Sequence, residues 1–88
     1  MKIEEQSNDV FKITVSGLTT TQHEVTVTDS ALQELTNGQV TKEELLDFSF
    51  KFLLDREPNT SILSSFEIMV IAQYFYEYPS KVREWCAK

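Results

Sequence analysis

The chain has one cysteine, one histidine, two glycines and two prolines in 88 residues. A lone cysteine, Cys86, cannot close an internal disulfide, so the fold is held together without one. One histidine and one cysteine leave no cluster with metal-ligand spacing, and no glycine-rich loop is present to cradle a phosphate. No catalytic set stands out, so the expectation is a non-enzymatic protein that needs no cofactor. Long apolar runs are missing too. The longest, Ile68 to Ala72, falls far short of the roughly 20 residues that a membrane span needs. The N-terminal MKIEEQSND lacks the apolar core of a secretory signal, so a cytoplasmic location away from membranes is expected. Positive charge is scarce: 8 Lys and Arg face 14 Asp and Glu, for a net charge of −6. Such a surface repels nucleic-acid phosphates and anionic lipid, which leaves proteins as the favoured partners.

What is present suits one ordered domain. At this length about 64% of the unfolded chain's surface is buried on folding, enough for a core without staples. A hydrophobic content of 41% argues against disorder along most of the chain. The exception is residues 1–9, which are polar and expected to fray.

The clearest element is the stretch Val40 to Pro58. Thr41 is placed as a helix N-cap, with Glu44 three residues on to complete a capping box and Val40 and Leu45 placed for a hydrophobic staple. Lys51 and Arg56 lie toward the end that favours cations, and Pro58 stops the helix. At about 100° per residue, Leu45, Leu46, Phe48, Phe52 and Leu53 share a broad face. Phe50 and Leu54 widen the apolar arc past half the circumference and leave Glu44, Asp47, Lys51 and Asp55 as the polar stripe. A surface helix needs an apolar stripe little wider than ~100°. This one is therefore central in a small fold, or is covered on a second side by another subunit.

Around it, Val10–Val15 and His23–Thr28 alternate in β-branched residues and read as two strands of an antiparallel hairpin, joined by a loop containing Gly17. In the second strand Val25 and Val27 oppose Glu24, Thr26 and Thr28. His23, at its start, reads as a solvated strand residue. Asp29 or Thr28 caps a short helix, Ser30–Thr36, that Asn37-Gly38 ends. Beyond Pro58 come a turn at Asn59-Thr60-Ser61, a helical turn at Ile62-Leu63, a long helix Phe66–Tyr78, and a basic tail helix Lys81–Trp85 after Pro79. The expected fold is α+β: an N-terminal antiparallel β-hairpin packed on about three helices, in the order ββααα.

Three further groups have plain structural readings. Glu43, Glu44 and Asp47 suit a helix N-terminus electrostatically. Arg56-Glu57-Pro58 is a helix end whose arginine pairs with a nearby acid. Cys86, with Lys81, Arg83 and Lys88 near in sequence, reads as an inert tail thiol. The aromatic and basic C-terminal segment (Tyr74, Tyr76, Tyr78, Trp85, Lys81, Arg83) reads as core and rim packing or as a protein contact, with stacking on single-stranded nucleic acid as the alternative.

Leu35-Thr36-x-Gly38, Glu43-Glu44-Leu45, Ser49-Phe50-x-Phe52-Leu53-Leu54, Arg56-Glu57-Pro58 and Ser61-Ile62-Leu63 are similar to a family of small, uncharacterised bacterial proteins. The resemblance covers roughly Glu24 to Tyr78 and implies a small bacterial cytoplasmic protein, with no residue roles attached. The order strand, short helix, Gly-containing turn, longer helix also resembles ribbon-helix-helix DNA-binding proteins, dimers whose strands enter the major groove. Glu24, Thr26 and Thr28 would then be the outward set, and a glutamate there meets phosphate poorly.

The functional expectation follows from apolar surplus. If the two long helices meet through their main faces, Phe50, Leu54, Val70 and Tyr74 are left near the surface, where a contiguous apolar patch marks an interaction site. These four are the candidate partner surface. The expected role is a protein-interaction module that contacts a protein partner or a second copy in a homodimer. A DNA-binding regulator of ribbon-helix-helix type and a small-ligand-binding accessory protein are the alternatives.

Overall fold

The computed structural model describes residues 1–87. The class is α+β, with a four-stranded sheet in the spatial order β1-β2-β3-β4 and four helices. The strands are β1 (Lys2–Ser7), β2 (Val10–Val15), β3 (Thr21–Thr26) and β4 (Ser65–Glu67). The helices are α1 (Asp29–Thr36), α2 (Lys42–Leu54), α3 (Val70–Tyr74) and α4 (Tyr78–Cys86).

β2 and β3 form the expected hairpin, with Phe11 opposite Val25 and Ile13 opposite His23. Two strands were expected and four are present. Residues 2–7, expected to fray, form β1, which pairs antiparallel with β2 and carries an irregularity between Glu5 and Ser7. Asn8-Asp9 makes the turn, and Asp9 takes the left-handed conformation that short polar side chains tolerate (φ 67°). β1 escapes an apolar-alternation test because it is an edge strand. Ile3 packs against the core, while Glu5 and the remaining residues meet water.

The stretch Phe66–Tyr78 is not one helix. Ser65–Glu67 pairs in parallel with β3, putting Phe66 beside Val25. A short helix α3 follows and is broken at Phe75 (φ −130°, ψ 95°), after which α4 starts at Tyr78. Pro79 lies in the first turn of α4, where its missing N–H costs nothing and its fixed φ suits a helix. Proline here begins a helix rather than ending one. Ile62-Leu63 is extended rather than helical, and the short 3-10 turn falls on Asn59–Ser61.

Local capping follows the expected chemistry. Thr28 Oγ1 accepts from the Ala31 N–H at 3.0 Å, and Asn37, left-handed at φ 56°, closes α1 by donating its N–H to the Gln33 carbonyl. Gly38 continues at φ 72°, a conformation that favours glycine. At α2, the Thr41 hydroxyl accepts from the Glu44 N–H while Glu44 Oε1 accepts from the Thr41 N–H. Lys42, in the first turn, sits where the helix dipole disfavours a cation. The carboxylates of Asp29 and Asp9 reach its ammonium and raise its pKa, Asp29 first. This triad ties the β1–β2 turn to the starts of both helices.

α2 is central. Leu45, Leu46, Phe50, Phe52 and Leu53 are all buried in the core with Phe11, Ile13 and Val25 of the sheet. Its wide apolar arc is covered from two directions within one chain. Phe50 lies near His23 and Phe66 of the sheet, with ring centroids 5.5 and 6.2 Å away. Phe52 meets Phe75 and Tyr78 edge-on at 5.7 and 5.4 Å, and Phe48 stacks on Trp85 at 4.6 Å. The Arg56 guanidinium lies 3.6 Å over the Phe52 ring, donates to the Phe52 carbonyl and pairs with Glu77. Truncating Phe52→Ala is expected to cost about 3–5 kcal/mol in urea unfolding, a large part of a small domain's stability. A cost under about 1 kcal/mol would contradict this packing.

Tyr78 is fully buried, and its hydroxyl donates to Ser49 Oγ, which itself donates to the Leu45 carbonyl. Burial pushes the Tyr78 pKa well above its ordinary value of 10.0. The folded chain keeps this phenol neutral where the unfolded chain would ionise it. Its contribution to stability is therefore intact below pH 10 and is lost as pH rises above it. Unfolding free energies measured across pH 10 are expected to fall more steeply for the natural chain than for Tyr78→Phe. Parallel curves would refute the assignment.

Candidate functional site

The apolar feature open to solvent is a groove of about 270 Å³ between the end of α2, the approach to β4, and α3. Leu53 and Glu57 form one wall, Ser61, Ile62, Leu63 and Phe66 another, and Val70, Ile71, Tyr74 and Phe75 the third. Its lining is apolar apart from the Glu57 carboxylate, the Ser61 hydroxyl and the Tyr74 phenol. Leu63 and Tyr74 stand at its mouth, 46% and 68% exposed.

The four residues expected to form a partner surface separate. Val70, half-buried, and Tyr74, exposed, both line the groove. Leu54 is 37% exposed but lies on the neighbouring strip of α2, outside the lining. Phe50 does not reach the surface at all, because the sheet covers it with His23 and Phe66. Leu63, Phe66 and Leu53 were not expected at this surface. For Phe66 the signal is the alternation Ser65-Phe66-Glu67-Ile68, which a helical reading of the same stretch hides.

A polar network fixes the wall that carries Leu63. His23 is buried, not solvated: it shares the core-facing side of β3 with Val25 and Val27. The Leu63 carbonyl can only accept, so His23 Nδ1 donates to it, at 2.8 Å. Nε2 then accepts from the Thr21 hydroxyl at 2.8 Å, and Thr21 in turn accepts from Asn59 Nδ2 at 2.9 Å. Asn59 Nδ2 also donates to the Thr19 carbonyl at 2.7 Å. The groove wall 59–63 is thus stitched to the β2–β3 hairpin end by side chains, since these segments share no sheet ladder.

The other sequence candidates have structural duties. Arg56 pairs with Glu77, and Lys51 with Asp47 one helical turn away. Of the C-terminal aromatics, Tyr78 is core and Trp85 packs on Phe48, while Tyr74 and Tyr76 are exposed. Cys86 is half-buried with weak contacts to the Arg83 and Thr36 carbonyls; Lys88 lies outside the described residues. Among the described residues no helix is long and apolar enough to cross a membrane, and no group of three or more His, Cys, Asp or Glu is placed to hold a metal ion. Comparison of the chain with protein-family models, with curated proteins and with solved structures yields no match.

Asn59→Ala removes the donor that joins the two segments. It is expected to cost about 1 kcal/mol and to speed amide exchange at Thr19–Thr21 and Ser61–Leu63 while α4 keeps its protection. Unchanged exchange in both segments would show that the network does not hold the wall.

Proposed function

We propose that the chain is a non-enzymatic protein-interaction module whose contact surface is the groove edged by Leu63, Val70 and Tyr74. The observation that carries this reading is the groove itself. It is a half-open apolar depression with two large apolar side chains standing in water at its mouth; the other exposed ones, Met1, Leu18, Leu54 and Tyr76, lie outside its lining. Apolar area left at a concave surface is the usual mark of a binding site.

The ribbon-helix-helix alternative meets a topological obstacle. Its strand must be free to pair with a second copy, whereas β3 has β2 on one side and β4 on the other. Its water-facing side presents Gln22, Glu24 and Thr26, without a cation.

Leu63→Glu combined with Tyr74→Glu tests the proposal. Both side chains are solvated, so the charges stay in water and the fold is expected to keep its cooperative thermal transition. Association with a protein captured by the natural chain, read by pull-down and sedimentation, is expected to be lost. A variant that is folded and associates as before would refute the proposed surface.

A further inference from the structure

Resting on that reading, we infer that the groove and the free edge of β4 together receive an extended segment of a basic protein partner, added as a fifth strand with apolar and cationic residues in alternation. Ser64 offers its carbonyl to the Glu24 N–H, and Ile68 donates its N–H to the Thr26 carbonyl. In a parallel ladder alternate residues bond to the neighbouring strand. The backbone groups of Ser65 and Glu67 therefore point away from β3, along the outer edge of the sheet. β1, the opposite edge, is charged and irregular and so guarded against pairing. β4 is guarded only by its shortness and by one charge, Glu67.

Phe66 ends the cross-strand row Glu5–Phe11–Val25–Phe66 on the core-facing side of the sheet, and the groove opens beside it. A strand one ladder spacing beyond β4, roughly 4.8 Å away, places its inward side chains against Phe66, Val70 and Tyr74. Its outward side chains continue the row Glu4–Lys12–Glu24–Ser65 and stand near Glu24 and Glu67. The inner face is apolar and the outer face is acidic, so the complementary segment alternates large apolar residues with Lys or Arg. A second copy is a poor occupant. Pairing β4 with itself would bring two acidic edges together, and the charge of −6 adds to the repulsion. The three-residue edge supplies few hydrogen bonds, so side chains in the groove carry the affinity and the edge sets the conformation.

The test is a selection from displayed random dodecapeptides against the whole chain, followed by amide chemical-shift mapping and affinity measurement. Enriched peptides are expected to alternate apolar and basic residues and to shift Leu63–Glu67 and Val70–Tyr74. Ser65→Pro removes an outward N–H and leaves the internal ladder intact, and is expected to weaken binding about tenfold with the thermal transition kept. As a check that leaves the protein untouched, the best peptide is resynthesised with N-methyl groups on alternate amides. One register is expected to abolish binding and the other to leave it. Peptides that fill the groove with helical spacing and ignore Ser65→Pro and N-methylation would overturn the added strand while leaving the interaction surface standing. Enrichment of nothing, of acidic peptides, or of peptides mapping elsewhere would overturn the inference, as would self-association sensitive to Ser65→Pro. Failure of the broader reading is separately visible as unchanged association in the Leu63→Glu, Tyr74→Glu variant.

Discussion

The parallel pairing of β4 with β3 is the constraint on which the rest of the structure depends. It brings Leu63 to His23 across 40 residues of chain. A parallel neighbour cannot be reached by a tight turn and needs a crossover of a dozen residues or more. Here α1 and α2 supply that crossover. The pairing is short, three residues on each strand, and side chains reinforce it. The buried imidazole of His23 bonds the Leu63 carbonyl, Asn59 reaches back to Thr19 and Thr21, and Phe66 joins Phe50 under the sheet. Without it, β4 would not end the Phe11–Val25 row, the approach at Ile62 and Leu63 would have no fixed path, and the groove would lose a wall.

The breadth of apolar surface on α2 then has a simple cause. The helix is sandwiched. Phe50 and Leu46 serve the sheet side, Phe52 serves Phe75 and Tyr78, and Phe48 serves Trp85. One chain uses nearly the whole arc, and a second subunit is not required to cover it. What remains solvated is displaced from where a wheel projection puts it. Solvated apolar side chains stand at Leu63 and Tyr74 beside the groove and, outside its lining, at Met1, Leu18, Leu54 and Tyr76.

Charge and shape at this surface complement each other. The groove is apolar inside and carries Glu57 on its wall, and the strand edge beside it runs next to Glu24 and Glu67. The net charge would slow encounter with acidic surfaces and hasten encounter with basic ones. Arg56, the cation nearest the end of α2, is committed to Phe52 and Glu77 and does not offset the acids at the mouth.

How much of this was legible follows from the range over which each signal acts. The capping box at Thr41, the left-handed stop at Asn37-Gly38 and the β2–β3 alternation were readable because each is decided by atoms within a few residues. His23 reads as solvated from its polarity, but the parity of β3 turns it inward with Val25. β1 was hidden because an edge strand with one partly buried apolar residue, Ile3, leaves no apolar period. The stretch Phe66–Tyr78 reads as one helix because a short run rich in β-branched and aromatic residues fits either a helix or a buried strand. Which one forms depends on whether a sheet edge is available, and that edge lies on β3, remote in sequence. The groove is a product of that choice. The sequence by itself determined the class, the local caps and the surplus of apolar surface. Only the tertiary structure decided where the surplus is spent, because burial is settled by partners that distant parts of the chain bring together.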